Sequence, residues 1–429
     1  MRILGIESSC DETAAAVVED GRRLLSNVVN TQIDIHAEYG GVVPEVAARS
    51  HLEVINPVIN KALADANCTW DDIDAIAVTY APGLIGSLLI GTLAARTLAV
   101  IHSKPIYAIH HVEAHVYANF LTEQGPKTTD ESLIEPHYSE ETVKSTDMGD
   151  FSRTLEGSAS GAAEKSVLRE VCAVRSDELS THNPHNPSNK RAEQKALVLP
   201  SSQPKFPMLA LIVSGGHSQL VFFRDHGDYS LIGQTQDDAV GEAFDKVAKI
   251  LGLPYPGGPS ISKAAELGDP MAYKLPIAKM QGAYDFSFSG LKTAVLRAVQ
   301  REVGKDFTFP SHELPALVND ELRHNMAASF QYTAIKTLVN KTFQAYNDLS
   351  PASVVIAGGV AANLELRRQL SDKLPISIEY APIQLCTDNA AMIATLACYR
   401  SKIDSPANAL DFEVQPSLSM MTNHQPQVP

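Results

Sequence analysis

The chain has 429 residues, of which 44% are hydrophobic and 20% are charged, so it has an ordinary globular composition and is long enough for two large folding units. Its formal charge of −15 makes the chain as a whole a poor nucleic-acid binder, because that affinity comes mainly from Lys and Arg. A nucleic-acid substrate would therefore need a local basic groove or a basic partner. The five cysteines are scattered, without a CxxC pair, which argues against a disulfide scaffold and favours a reducing compartment.

Residues 1–122 alternate predicted strands and helices and are expected to form a first lobe. Apolar runs at 3–6 and 14–18 flank a polar elbow, ESSCDET, which predicts two strands that meet at a turn. The apolar spacing over 44–65 predicts a helix, with its apolar side chains on one side.

The most apolar stretch, 83–101, contains Arg96 and three glycines. We expect a buried core helix there and not a membrane span. The start of the chain shows neither a secretory signal pattern nor a transit-peptide pattern, so we expect a cytoplasmic protein with no membrane association.

Residues 123–205 differ in composition from the rest of the chain. They are rich in Ser, Thr, Glu, Asn and Pro and contain only two aromatic residues, Tyr138 and Phe151. Such a segment buries too little apolar surface to offset its chain entropy. We expect a low-complexity, disordered insert with one helix near 162–174; a partner-binding arm is the alternative.

Residues 206–404 are expected to form a second lobe, whose C-terminal helix could return to the first. Predicted strands at 208–213 and 219–223 surround an SGGH turn and echo the strand–turn–strand at 3–18. This weak internal repeat predicts an α/β protein with two related lobes and a cleft between them. The last residues, 405–429, are rich in Pro, Gln and Asn and are expected to be a flexible tail.

The run HVEAH at 111–115 is the sequence feature that most specifically suggests a metal site. On a helix, His111 and His115 lie four residues apart on one face, where two imidazoles could bind one divalent cation. Glu113 would point away, so it cannot be the base of an HExxH metallopeptidase. A pair of capping or core histidines is the alternative.

Asp388, in CTDN before an apolar helix, is a candidate third ligand, although a helix N-cap is its simpler role.

Turns in both halves suit a phosphate or a nucleoside, SSC at 8–10 in the first half and glycine turns in the second. The SGGH turn offers accessible backbone N–H groups, PGGP at 256–259 is a tight turn, and the glycine pair at 358–359 would let a ribose or base approach the backbone. Asp245, in GEAFDK, could accept a hydrogen bond from a ribose or acyl hydroxyl. The chain has no GxxxxGK[ST] and no GxGxxG, so neither a Walker nor a Rossmann site is supported. Plain turn chemistry is the alternative for each glycine turn.

Seven motifs follow one another in a single order. They are IESSCDET at 6–13, HVEAH at 111–115, VSGGH at 213–217, GEAFDK at 241–246, DFSFSGLKT at 285–293, AGGVAAN at 357–363 and CTDNAAMIA at 386–394. Together they resemble the TsaD family, the bacterial tRNA N6-adenosine threonylcarbamoyltransferases. The resemblance spans the chain except for the insert and the tail, and alanine stands at 390 where glycine is common.

The resemblance implies a two-lobed actin-like ATPase fold (the sugar kinase and heat-shock fold) with an interlobe cleft. It implies transfer of an L-threonylcarbamoyl group from threonylcarbamoyl-AMP to N6 of adenosine 37 in tRNAs reading ANN codons, forming t6A. It places one divalent metal, Fe(2+) first and Zn(2+) second, on His111, His115 and Asp388. The implied substrate contacts are Ile212, Val213, Ser214, Gly215, Gly216, Asp245, Gly258 and Asn363.

The resemblance also implies two protein partners, a smaller paralogue of the same fold and an ATPase subunit. The catalytic base is not identified; the elbow carboxylates Asp11 and Glu12 are candidates. Three alternative functions stay open from the residues alone: a metallopeptidase, a small-molecule kinase or ATPase of the same fold, and a non-catalytic scaffold for an RNA-modifying complex.

Overall fold

The computed structural model describes residues 1–125 and 197–420. The strands are β1 Arg2–Glu7, β2 Glu12–Glu19, β3 Arg23–Thr31, β4 Ala75–Ala81, β5 Ile106–His110, β6 Glu123–Gln124, β7 Met208–Val213, β8 Ser218–Asp225, β9 Asp228–Gln234 and β10 Ser353–Ala357. The α-helices are α1 Ile33–Ala37, α2 Pro44–Asp65, α3 Ile85–Ile101, α4 His111–Tyr117, α5 Val240–Leu251, α6 Gly257–Ala265, α7 Ser289–Glu302, α8 Asp320–Leu349, α9 Leu364–Lys373 and α10 Ala390–Arg400.

Two sheets repeat the same strand arrangement. The first has the order β5-β4-β1-β2-β3-β6, and the second has the order β10-β7-β8-β9. In each sheet the first strand is antiparallel to the second and parallel to a later strand, β4 beside β1 and β10 beside β7. The predicted internal repeat and the two-lobed α/β fold are thus confirmed, as are the strands on either side of the elbow.

The first strand of each repeat lies at the centre of its sheet. All six side chains of β7 are buried, and in β1 only that of Arg2 is not. A strand that is covered on both faces needs apolar side chains at every position, which explains why these two runs do not alternate with polar residues.

Helix α10 comes from the end of the chain yet packs on the first sheet. All of its residues are buried, and it contacts β1, β2 and α4. At the crossing, a Cβ on Gly5 would lie only 2.8 Å from the backbone nitrogen of Ala394, so only glycine allows this approach. The packing brings the residues that precede α10 to the side of α4.

The predicted insert and tail are described only in part. Residues 126–196, with the helix expected at 162–174, and residues 421–429 lie outside the described residues. The stretch 405–420, within the segment expected to be a flexible tail, packs along the first sheet. Its amides donate to that sheet, from Ala407 to Ile106 over 2.8 Å in β5 and from Gln415 to Tyr80 over 2.9 Å in β4.

Helix α3 corresponds to the most apolar stretch of the sequence. The expectation of a buried core helix is wrong for one of its faces, since Ile85 is 61% exposed and Leu89 is 50% exposed. No helix within 1–125 or 197–420 combines the length and the hydropathy needed to cross a bilayer.

Candidate metal centre and substrate cleft

Two histidines of α4 lie side by side at one end of the first sheet. Strand β5 ends at His110 and α4 begins with the next residue, so His111 stands in the first turn and His115 in the second. Their ring centroids are 4.6 Å apart, and both residues are buried. The prediction that they share one helical face is confirmed.

Asp388 completes a group of three. The N-cap of α10 is Asn389, whose side-chain oxygen accepts a hydrogen bond from the amide of Met392 over 3.1 Å. An N-cap role for Asp388 is therefore wrong. Its Oδ1 instead lies 3.5 Å from Nε2 of His111 and 3.3 Å from Nε2 of His115. One ligand atom from each of the three residues lies within 4.8 Å of the others.

These donors fit a divalent metal ion. Neither ring nitrogen of His115 makes a hydrogen bond with any described residue, although Nε2 lies close to Asp388. A buried polar atom without a partner costs free energy unless a ligand engages it. Two imidazoles and one carboxylate are typical of mononuclear non-haem iron sites, and zinc accepts the same atoms. Such an ion would keep open positions for a substrate or water.

Glu7 lies behind this group, fully buried at the end of β1. Its Oε2 accepts hydrogen bonds from Nδ1 of His111 over 2.9 Å and from the hydroxyl of Thr79 over 2.5 Å, and its Oε1 accepts one from the amide of Ser9 over 2.6 Å. Since a carboxylate only accepts, Nδ1 carries the proton and Nε2 is left to face Asp388. Sequence reasoning missed this role, although a lone acid ending an apolar strand was a signal.

The electrostatics of the group favour a cation. Burial alone would raise the pKa of Glu7 and of Asp388, but both pKa values are lowered, chiefly by the imidazole of His111, with His115 adding to the effect at Asp388 and Thr79 at Glu7. Burial would lower the pKa of His111, but the two carboxylates outweigh it and raise that pKa. The buried carboxylate of Glu7 and the partly buried carboxylate of Asp388 thus share one imidazole, a negative balance that a divalent cation would neutralise. Burial also lowers the pKa of the neighbouring His217 to about 4.

Glu113 lies on the opposite side of α4, as its helical offset predicted. Both of its oxygens accept from Nη2 of Arg400, at 2.9 and 2.7 Å, and the hydroxyl of Tyr229 donates to Oε2 over 3.3 Å. A carboxylate held by an arginine behind the helix cannot deprotonate a metal-bound water. The geometry required of a metallopeptidase is therefore not met by this glutamate.

The predicted substrate loop follows β7. Ile212 and Val213 are buried strand residues, so only their backbone atoms could reach a ligand. A Cβ added to Gly215, Gly216 or Gly258 would meet no protein atom within 4 Å. These three glycines therefore leave open space at the backbone, as a closely approaching ligand requires.

Two other glycines, Gly241 and Gly358, allow the backbone to pack closely against this loop. A Cβ on Gly241 would lie 2.6 Å from the carbonyl oxygen of Ser214, and one on Gly358 would lie 2.8 Å from the carbonyl carbon of Val213. The hydroxyl of Ser214 accepts the amide of His217 over 3.2 Å. The loop is thus fixed by close backbone packing while its other side stays accessible.

Acidic groups from both halves of the chain act on one another electrostatically. Oδ1 of Asp245 accepts the amide of Gly257 over 2.7 Å. Burial nevertheless raises the pKa of Asp245, and the charge of Asp11 in the elbow adds to the effect. Burial, together with the charges of Asp388 and Asp11, raises the pKa of Glu12 to about 10. The carboxylates of the elbow, of Asp245 on α5 and of Asp388 are therefore close enough for their charges to interact.

Asn363 is engaged by the protein on every side-chain atom that can hydrogen bond. Its Oδ1 caps α9 by accepting the amide of Leu366 over 3.0 Å. Its Nδ2 donates to Oε1 of Gln331 over 2.9 Å and to the hydroxyl of Ser262 over 3.1 Å, and this hydroxyl donates to Oε1 of Gln331 over 2.8 Å. Gln331 lies within α8, and no motif in the sequence marks it.

The predicted residues thus form two connected features, a three-donor metal site and a glycine loop with accessible amides. His217, which ends the loop, lies close enough to feel the charges of His111 and His115. Accessible amides suit a phosphate, and a metal with open positions suits a carboxylate, hydroxyl or carbonyl oxygen. The arrangement can hold an activated acyl group that is linked to a phosphate.

Comparison with known proteins agrees with this chemistry. A family model described as tRNA N6-adenosine threonylcarbamoyltransferase, TsaD, matches residues 23–129 and 192–395. A protein of that name from Thermomicrobium roseum is 42% identical over 98% of both chains. Another from Symbiobacterium thermophilum is 42% identical over 92% of this chain and 91% of its own.

Two solved structures were compared with the whole chain. YeaZ from Pseudomonas aeruginosa covers 27% of this chain and 46% of its own, with 20% identity and a TM-score of 0.21. Component A of the (R)-2-hydroxyglutaryl-CoA dehydratase from Acidaminococcus fermentans covers 94% of this chain and 100% of its own, with 12% identity and a TM-score of 0.41.

Proposed function

The chain belongs to the TsaD family, the tRNA N6-adenosine threonylcarbamoyltransferases, and from that membership we propose how its cleft works. It is an enzyme that transfers a threonylcarbamoyl group to N6 of an adenosine in tRNA, forming t6A. We infer that the donor is threonylcarbamoyl-AMP and the acceptor is adenosine 37 of tRNAs reading ANN codons. The observation that carries this proposal is the open glycine loop beside the three-donor metal site.

In the proposed reaction, N6 of the adenosine attacks the carbamoyl carbon of the donor. A C–N bond forms, the C–O bond to the phosphate breaks, N6 loses one proton, and AMP leaves with the electron pair. The amides of Gly215 and Gly216 stabilise charge on the departing phosphate. The open face of Gly258 admits the nucleoside, and holding donor and amine in line removes much of the entropic cost.

The proposed metal ligands are His111, His115 and Asp388. An ion held there would supply a Lewis acid for the carbonyl oxygen or for the carboxylate and hydroxyl of the threonyl group. We propose Fe(2+) first, because its usual protein donors match this set, and Zn(2+) second. Metal analysis of protein purified without oxygen, followed by chelation and re-addition of each ion, tests the choice.

The acceptor of the N6 proton is proposed to come from the elbow. Asp11 and Glu12 are the two candidates. Asp11 is favoured, because its charge acts on Asp245 of the cleft, whereas a pKa of about 10 keeps the carboxyl of Glu12 protonated near neutral pH. Separate Asp11→Asn and Glu12→Gln variants identify the base as the one whose loss lowers kcat while binding of the donor is retained.

Partners and location are proposed from the family resemblance. We propose a smaller paralogue of the same fold and an ATPase subunit as partners, and a cytoplasmic location, where tRNA is found. Exposed apolar side chains on α2 and α3, including Leu52, Ile85 and Leu89, support a protein partner on the first lobe. Leu52→Asp with Leu89→Asp should abolish complex formation in size-exclusion chromatography.

The proposed division of the chain is a first lobe at 1–122, an insert at 123–205, a second lobe at 206–404 and a tail at 405–429. Replacing 126–196 with a short Gly/Ser linker tests the insert. Retained t6A formation would support a dispensable insert, and lost activity with an unchanged fold would support a partner-binding arm.

The decisive experiment is nucleoside mass spectrometry of tRNA after incubation with threonylcarbamoyl-AMP and the two partners. Formation of t6A that requires this chain supports the proposal. A metallopeptidase would cleave peptides with its metal bound, a kinase or ATPase would consume ATP without modifying tRNA, and a scaffold would bind its partners without turnover.

A further inference from the structure

A basic cavity of about 630 Å³ opens on the second lobe, apart from the residues of the cleft. It lies between α7, the loop that follows α7 and the segment around 273–276. The lining residues that matter here are Lys274, Arg297, Arg301, Lys305, Asp306 and Phe307. All six are exposed.

The cavity is positive although the chain is strongly acidic. Four cationic side chains line it, against one carboxylate, that of Asp306. This carboxylate is already engaged, because it accepts hydrogen bonds from the amide of Thr308 over 2.8 Å and from its hydroxyl over 2.6 Å. Glu302 and Glu321 do not line the cavity, although at Tyr273, another wall residue, their charges outweigh that of Arg301 and add to burial in raising its pKa. A polyanion is therefore the ligand class that fits.

An aromatic ring is presented to solvent beside these cations. Phe307 is 67% exposed, and the guanidinium of Arg297 lies 4.8 Å from its ring centroid. Arg297 also donates to the carbonyl oxygen of Phe307 over 2.8 Å, which fixes the loop. An exposed ring next to phosphate-binding cations is the usual platform for an unpaired RNA base.

Helix α7 connects this cavity to the substrate loop. Asp237 binds the start of α7, accepting the amide of Phe288 over 2.8 Å, and Asp238 pairs with Lys292 over 3.3 Å. Asp238 also pairs with Lys246 of α5, over 2.9 Å, and α5 begins against the substrate loop. The 14 residues of α7 span about 21 Å, a distance that a folded RNA bound in the cleft would cover.

We propose that the pocket formed by Lys274, Arg297, Arg301, Lys305 and Phe307, the Arg301 pocket, binds the tRNA substrate by its phosphates and stacks one unpaired base on Phe307. This inference rests on the proposed function. It supplies the local basic groove that an acidic chain needs to hold RNA.

The test uses the full-length chain with its partners. Arg301→Gln with Lys305→Gln should raise KM for tRNA about tenfold or more and keep kcat at saturating tRNA. The slope of log Kd against log salt should fall by about 0.7 for each lost phosphate contact. Phe307→Leu keeps an apolar side chain without the ring, and should weaken tRNA binding about fivefold with an unchanged salt slope.

Charge-matched controls are Lys61→Gln with Lys249→Gln, which remove two exposed cations elsewhere. If the wild-type complex forms no t6A, the proposed function fails. If the wild type is active and the pocket variants match the controls in KM and salt slope, the pocket inference is overturned. It is also overturned if the pocket variants lose the partner subunits in size-exclusion chromatography, because the pocket would then bind protein.

Discussion

The carboxylate of Glu7 accepts a hydrogen bond from Nδ1 of His111 over 2.9 Å, across 104 positions of sequence. This contact fixes the tautomer and orientation of the imidazole, so that Nε2 faces Asp388. Glu7, at the end of β1, thus orients a metal site whose ligands lie on α4 and just before α10.

Replacing Glu7 with glutamine should weaken the metal site without removing a ligand. The amide would no longer enforce a proton on Nδ1, and loss of such an orienting carboxylate typically costs about 10- to 100-fold in metal affinity. Metal titrations should show this loss, with activity recovered at saturating metal. Glu53→Gln, at an exposed position of α2, is the control, and equal affinities in both variants would contradict the assignment.

His115→Ala and His111→Ala should differ in stability although both lose the metal and the activity. The ring nitrogens of His115 hydrogen bond to no described residue, whereas removal of His111 leaves Glu7 without its imidazole partner. Urea unfolding of the chelated proteins should therefore show His111→Ala less stable than His115→Ala by about 1–3 kcal/mol. A reversed order would show that Glu7 does not depend on His111.

The buried pair between Glu113 and Arg400 should be structural. Removing one partner of such a pair costs about 3–5 kcal/mol, so Glu113→Gln and Arg400→Met should each lower the free energy of unfolding by that order. The double variant should lose less than the sum of the single losses. Arg368→Met removes the surface ion pairs with Glu365 and Asp372 and should cost no more than about 1 kcal/mol for each. Strictly additive losses would exclude direct coupling.

Gln331→Leu should impair donor binding through Asn363. The variant removes the acceptor for Nδ2 of Asn363 and for the hydroxyl of Ser262, so the side chain of Asn363 is no longer held in place. A loss of about 1.4 kcal/mol in binding, the order of one hydrogen bond, corresponds to about a tenfold higher KM for threonylcarbamoyl-AMP. We expect kcat to change much less than KM. Gln331→Glu, which restores an acceptor, should recover part of the loss, and Gln344→Leu on the same helix is the control. A purely structural role would lower stability and leave KM unchanged.

Local pattern was sufficient for much of the fold. The strands around the elbow, the helix over 44–65 and the shared face of His111 and His115 each depend on spacing within a few residues, and all three were predicted correctly. The offset of Glu113 followed from the same helical period. Asp388 was harder, because its neighbour Asn389 is an equally good cap, and only the observed hydrogen bond to Met392 separates them.

The residues alone were enough to establish the order of the motifs, the family and the chemical types of the ligands. Only the folded chain shows that Glu7 supports His111, that Gln331 holds Asn363 and that Lys274 joins the helically spaced Arg297, Arg301 and Lys305 at the Arg301 pocket. These contacts join residues whose separation in sequence follows neither the helical nor the strand period. Their distances depend on how β1, α4, α8 and α10 pack, and no local pattern encodes that packing.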